Sequence, residues 1–170
     1  MVGLLSSQMF VVFSTLLIFI LTISLWILMI YRYIRKPSRS LFYWSLGILL
    51  FAIGVLLEVI FAIGIYSEFL IATYLFVVVM LVESLAIGSI QLIKSSKIKV
   101  YYYIYSIIST ILLIYSLYIS NIGNIITNYI VFGVLPLFVV ITSSIITFPA
   151  SAIIIAVAAI SYRRNHNLKM

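Results

Sequence analysis

The sequence predicts an all-α integral membrane protein, built as a five-span transmembrane helical bundle. Hydrophobic residues make up 66% of the 170 residues and charged residues only 8%, whereas a soluble domain has roughly 25% charged residues. The mean hydropathy is +1.36. The apolar residues form continuous runs of about 20, the length with which a helix crosses the hydrocarbon core of a bilayer. These observations exclude an ordinary water-soluble enzyme, and the lack of Cys excludes a disulfide scaffold and thiolate chemistry.

Four of the five spans follow directly from the positions of the apolar runs. They are Met9–Tyr31, Phe42–Tyr66, Phe69–Ile93 and Val100–Ile119. Pro37 stops any helix after the first span, and a very short turn at Ser67–Glu68 makes the second and third spans neighbours. The polar stretch Ser120–Asn124 indicates a further turn. No linker separates two domains, so residues 1–170 are expected to form a single polytopic membrane domain.

The last apolar stretch, Ile125–Tyr162, is too long for one simple span and barely long enough for two. The distribution of basic residues favours one span, because short loops rich in Lys and Arg stay in the cytoplasm. We therefore predict a fifth span over Leu137–Tyr162, with Ile125–Leu135 interfacial or re-entrant and six spans as the alternative. Hydroxyl groups of the same helix are expected to satisfy the backbone groups freed by Pro149.

All ten Lys and Arg residues lie in three clusters, each at the end of an apolar run. The clusters are Arg32, Arg35, Lys36 and Arg39; then Lys94, Lys97 and Lys99; then Arg163, Arg164 and Lys169. These clusters give the chain its net charge of +7, and we interpret them as signals of membrane topology. No nucleic-acid partner is therefore expected. Five spans place all three clusters on one side, which predicts a protein of the cell membrane with its N-terminus outside and its C-terminus in the cytoplasm.

Tyrosines beside these clusters predict an aromatic belt at the cytoplasmic interface, where Tyr and Trp are enriched. The most conspicuous run is Tyr101, Tyr102, Tyr103 and Tyr105, at the start of the fourth span. We interpret this run as a membrane anchor rather than as a redox or ligand-stacking site.

Two acidic residues, Glu58 and Glu83, are predicted to lie inside the bilayer. Buried ionisable groups are costly there, so each is a functional candidate. At a rise of about 1.5 Å per residue, Glu58 lies roughly 12 Å from the outer end of its span and Glu83 roughly 21 Å down the next. With Glu68 at the outer mouth, the three acids could form a descending series. Gln91, near the inner end of the third span, is a further polar candidate and is more typical of an interface residue.

The surroundings of Glu58 indicate that it points towards another helix. The small residues Gly54 and Ala62 lie one turn to either side of it, and small residues let transmembrane helices approach closely. The stripe through Glu83 has no small members, although Ser84 and Gly88 form a small pair beside it.

Two interpretations of the buried acids compete. In one they relay protons or cations; in the other they are protonated and hydrogen-bonded, holding helices together or docking a partner. Their roughly 10 Å spacing is too long for direct proton transfer. No intramembrane Lys or Arg supplies a counter-charge, which favours the neutral form and hence the structural interpretation.

Nothing in the sequence predicts a catalytic site, a metal site or a cofactor. His166 is the single histidine, so bis-histidine haem ligation and a zinc site are unsupported. A Ser-His-Asp triad cannot form without Asp, and phosphate-binding glycine motifs are absent. We therefore expect a protein that is not an enzyme.

Three functional hypotheses remain open. The favoured one is a structural or accessory subunit of a membrane complex, which packs against larger membrane partners. Over all the hypotheses, we expect contact with the lipid bilayer and either a membrane-protein partner or a homo-oligomer. The alternative is an oligomeric channel or transporter for ions, protons or small solutes that uses Glu58 and Glu83. A lipid- or quinone-binding protein is the third. The Ile- and Tyr-rich, Cys-free composition is compatible with a thermophilic archaeon or an archaeal virus, although five Met and several Asn count against it.

Overall fold

The computed structural model describes residues 2–120, 122, 126–127, 130–131 and 135–167, with side chains described for 9–120, 122 and 135–163. Within these residues the chain forms five helices: α1 (Val2–Arg35), α2 (Arg39–Ile63), α3 (Glu68–Ile90), α4 (Ser96–Ile119) and α5 (Leu137–Asn167). Each contains a stretch long and apolar enough to cross a membrane. The predicted five-span helical bundle is therefore confirmed, and the described residues hold no sixth such helix.

The ends of α2 and α3 are fixed by local capping. The hydroxyl groups of Ser38 and Ser67 accept hydrogen bonds from the backbone N–H of Leu41 and Leu70, each at 3.2 Å, as N-cap residues do. α2 ends at Gly64, whose φ of 97° is left-handed, a conformation that only glycine adopts without strain. The second span therefore ends before Tyr66, the residue at which hydropathy placed its end.

α3 lies at the centre of the bundle. It packs against α2, α4 and α5, whereas α1 packs mainly on α2. Three buried clusters follow α3 along its length. Their α3 members are Ile71 at one end, Val79 in the middle, and Ala86, Ile87 and Ile90 at the other end. α3 therefore contributes to all three of these buried clusters.

The described residues between α4 and α5 include two short strands. These strands, β1 (Ile126–Thr127) and β2 (Ile130–Val131), pair antiparallel, and β2 lies against α2. Ile122 and Leu135, on either side of the strands, pack on the cluster that contains Phe61. The remaining residues of 125–135 lie outside the described part of the chain, so the interfacial or re-entrant placement of this segment stays a prediction.

Candidate functional site

Glu58 is bound by a tyrosine from the neighbouring helix. The hydroxyl group of Tyr74, on α3, donates a hydrogen bond of 2.7 Å to Oε1 of Glu58, on α2. Both side chains line a cleft of about 180 Å³ between α2 and α3. Gly54, one turn earlier on α2, also lines this cleft, and a Cβ atom at this position would lie 3.9 Å from Val77 on α3. The Glu58 side chain therefore stands at a helix–helix contact, half-buried rather than enclosed.

Glu83 is fully enclosed and is also bound by a tyrosine. Its exposed fraction is 0%, and its Oε2 accepts a hydrogen bond of 2.9 Å from the hydroxyl group of Tyr102, on α4. The buried Ser106 lies one turn further along α4, beside the same carboxyl group. Oε1 of Glu83 makes no hydrogen bond within the described residues. An unpaired buried polar atom costs free energy, so the Tyr102 hydroxyl group only partly offsets the cost of burying this carboxyl group.

The two glutamates lie on opposite sides of α3. Tyr74, which binds Glu58, and Glu83 are nine positions apart on α3. This spacing is about two and a half turns, which places them on opposite faces and roughly 13 Å apart along the axis. The cleft beside Glu58 is lined by α2 and α3 alone, and Glu83 is not part of its wall. The two carboxyl groups therefore face different helix–helix contacts, Glu58 between α2 and α3 and Glu83 between α3 and α4.

Gln91 lies just beyond the last residue of α3, at the end of the bundle that carries the basic residues. Its side-chain amide donates to the hydroxyl group of Tyr103 at 2.7 Å, and that hydroxyl group donates to Tyr43 at 3.3 Å. The backbone carbonyl of Gln91 accepts a bond of 3.1 Å from Nζ of Lys99. Gln91 thus bonds to α4 directly and is linked to α2 through the hydroxyl group of Tyr103.

The basic clusters share one end of the bundle. The first surrounds the α1–α2 turn, the second the α3–α4 turn, and Arg163 lies near the end of α5. A cleft lined by Met29, Trp44, Leu85 and Ser161 brings α1, α2, α3 and α5 together at this end. The Arg164 side chain and the whole of Lys169 lie outside the described part of the chain.

Sequence reasoning missed the tyrosine partners of the two acids. Tyr102, interpreted as a member of the aromatic belt, is buried and points to Glu83 instead. A signal for this was present in α4, where a stripe of residues at spacings of three and four is buried throughout: Tyr102, Ser106, Ser109, Leu113 and Ser116. Reading the stripe as a helix face would have placed Tyr102 inside.

The residues within the described ranges include no group of three or more His, Cys, Asp or Glu side chains that could hold a metal ion. The chain matches no protein-family model, no curated protein and no solved structure.

Proposed function

We propose that this multi-pass membrane protein is a structural or accessory component of a membrane complex, without a catalytic role of its own. The observation that supports the proposal is the use made of its two intramembrane acids. Each accepts a hydrogen bond from a tyrosine of the next helix in sequence, Glu58 from Tyr74 and Glu83 from Tyr102. Hydrogen bonds between transmembrane helices hold a bundle together. Here the carboxyl groups of Glu58 and Glu83, which a transport pathway would need, take part in such bonds.

The separation of the acids also favours this function. A proton relay needs donors and acceptors within hydrogen-bond reach of one another. Glu58, on α2, contacts the face of α3 that carries Tyr74, whereas Glu83 lies on the opposite face of α3. Glu83 is not among the residues that line the small cleft beside Glu58. A subunit that builds a rigid apolar bundle around such internal bonds is suited to supporting a larger membrane partner.

The decisive experiment is to determine the composition of the particle in which the protein exists. The tagged protein is extracted from its native membrane in a mild detergent, and the mass and stoichiometry of the particle are measured. The control is the same extraction from membranes that carry the untagged protein. A larger complex of fixed stoichiometry is expected, and a lone monomer or a homo-oligomer would contradict the accessory function.

A second function, an oligomeric pathway for ions, protons or small solutes, is favoured by one observation. The carboxyl group of Glu58 borders a cleft of about 180 Å³, which a neighbouring copy could extend into a path. This function predicts flux across the liposome membrane that falls for Glu58→Gln and for Glu83→Gln, because both acids are assigned to the pathway. Tyr118→Phe is the control, because Tyr118 is exposed on α4 and lies outside the series of acids. Flux that is unchanged in both variants would contradict the pathway.

The proposed localisation is the cell membrane, with the basic end in the cytoplasm and the N-terminus outside. The supporting observation is that the α1–α2 turn, the α3–α4 turn and the end of α5 lie at one end of the bundle. Positively charged short loops are retained in the cytoplasm.

A further inference from the structure

A large groove lies at the basic end of the bundle, between α1 and α2. Its volume is about 850 Å³. Its apolar wall is formed by Leu25, Leu28, Met29, Trp44 and Leu92. Trp44 is held in place by its indole N–H, which donates towards the carbonyl of Leu85 at 3.3 Å. We call this feature the basic groove.

The rim of the basic groove carries positive charge without a matching negative charge. Arg32, Arg35 and Lys36 line it, and none of its lining residues is acidic. The guanidinium group of Arg35 lies over the ring of Tyr31, 4.3 Å from the ring centroid, which fixes the charge at the rim. The groove therefore offers three cations to an anionic group.

The charged and apolar parts of the groove follow one another along α1. Arg32 is seven residues after Leu25, which corresponds to roughly 10 Å along the helix axis. An adjoining apolar cleft of about 460 Å³ shares Met29, Trp44 and Leu92 with the groove and extends the apolar surface to α5. A ligand that fits must have an anionic head at the membrane interface and an apolar chain that runs into the bilayer.

We propose that the basic groove is a binding site for an anionic phospholipid of the adjacent leaflet. The phosphate-bearing headgroup contacts Arg32, Arg35 and Lys36, and one acyl chain lies along Leu28, Met29 and Trp44. Basic pockets between transmembrane helices recognise anionic headgroups in this manner. The site does not depend on whether the protein is an accessory subunit or a pathway.

The test uses Trp44 as a reporter inside the groove. The chain has two tryptophans, so Trp26→Phe leaves Trp44 as the single fluorophore. The full-length variant is reconstituted into phosphatidylcholine vesicles with a low mole fraction of a brominated lipid, either anionic phosphatidylglycerol or zwitterionic phosphatidylcholine. Bromine quenches tryptophan only at contact distance, so quenching reports occupancy of the groove. We expect the anionic lipid to reach half-maximal quenching at a several-fold lower mole fraction.

Removal of the rim charges should abolish this preference. Arg32→Gln with Arg35→Gln is expected to raise the half-maximal mole fraction of the anionic lipid several-fold, to about the value for the zwitterionic lipid, because cationic side chains at the interface attract anionic headgroups. The control is Lys94→Gln with Lys97→Gln, which removes the same charge from the same end of the bundle but from residues outside the groove. The control should keep the preference.

Four results would overturn the proposal. They are equal quenching by the two brominated lipids, no quenching by either lipid, an equal loss of preference in the control variant, and a preference abolished by millimolar inorganic phosphate. No quenching would mean that another protein segment covers the groove. Competition by phosphate would assign the rim to a soluble anion.

Discussion

At the scale of single residues, the intramembrane acids of this protein are matched with tyrosine hydroxyl groups from the next helix in sequence. A tyrosine supplies an O–H donor without adding a charge, so it satisfies a carboxyl group at lower cost than a buried Lys or Arg would. Tyr102 and Glu83 form the more enclosed of the two pairs, since Tyr102 is 7% exposed and Glu83 is 0% exposed.

The Tyr102–Glu83 bond should contribute measurably to the stability of the bundle. Interhelical hydrogen bonds in membranes average about 0.6 kcal/mol and reach about 1.7 kcal/mol. In a double-mutant cycle of Tyr102→Phe and Glu83→Gln, we expect a coupling free energy in this range, measured by reversible unfolding in mixed micelles. Tyr101→Phe is the matched control, because Tyr101 is 72% exposed on the same helix. A coupling of zero would mean that the two side chains do not interact.

A second tyrosine of α4 compensates for the proline inside α5. Pro149 has no backbone N–H, so the carbonyl of Ile145, four residues earlier, lacks its usual helical donor. The hydroxyl group of Tyr105 donates to that carbonyl. We expected hydroxyl groups of α5 itself to act here, but Ser143, for example, donates to Val140.

This compensation predicts that the effect of Tyr105→Phe depends on Pro149. In the wild-type background the substitution should lower the free energy of unfolding by about 1 kcal/mol, since it leaves a carbonyl unsatisfied. In a Pro149→Ala background the new backbone N–H can bind Ile145, so the loss should nearly vanish. Tyr118→Phe, at an exposed position of α4, should have no effect in either background. Equal losses for Tyr105→Phe in the two backgrounds would contradict the prediction.

At the scale of helices, the sequence predicts which segments form spans better than it predicts where they end. Hydropathy identified five apolar runs because the bilayer requires about 20 apolar residues. Hydropathy carries no information on helix-capping residues. It therefore extends the second span to Tyr66, whereas α2 ends at its C-cap residue, Gly64. It began the fourth span at Val100, whereas α4 begins at Ser96 among the lysines of the turn.

The contact between α2 and α3 depends on glycines in a position-specific way. A Cβ atom at Gly88 would lie 2.7 Å from Nε1 of Trp44 and 3.1 Å from the backbone oxygen of Ser40. The Ser40 hydroxyl group also donates to the carbonyl of Gly88 at 2.7 Å. At Gly54, by contrast, a Cβ atom would meet only Val77 and Val78, at 3.9 Å and 4.0 Å.

We therefore expect Gly88→Ala to destabilise the protein and Gly54→Ala to be tolerated. Overpacking of a tight contact costs about 1–3 kcal/mol, whereas alanine in an open helical position is favoured over glycine. Unfolding in mixed micelles measures the first effect. A shift in the fluorescence of Trp44, in a Trp26→Phe background, reports whether the indole is displaced. Equal stability of the two alanine variants would show that α2 and α3 can separate without cost.

At the scale of the whole molecule, the sequence identified the buried acids but could not place them relative to each other. Glu58 and Glu83 were identified because charges are rare inside apolar runs. Glu83 lies on α3, whereas Glu58 lies on α2 and contacts the opposite face of α3 through Tyr74. This arrangement follows from the way α2, α4 and α5 surround α3, which depends on long-range packing. The basic groove could not be predicted from the sequence for the same reason, because its wall combines residues of α1 and α2 with Leu92.

The arrangement of the whole chain predicts which turns are accessible from each side of the membrane. The chain lacks Cys, so one cysteine introduced at Ile65, Ser95 or Asn167 is a unique target for a membrane-impermeant maleimide. Because basic turns remain in the cytoplasm, Ile65→Cys should be labelled in intact cells. Ser95→Cys and Asn167→Cys should be labelled only after permeabilisation, and all three must react fully in detergent. Labelling of Asn167→Cys in intact cells while Ser95→Cys is protected would contradict a single crossing by α5, whereas a complete reversal would preserve the five-span bundle and invert its orientation.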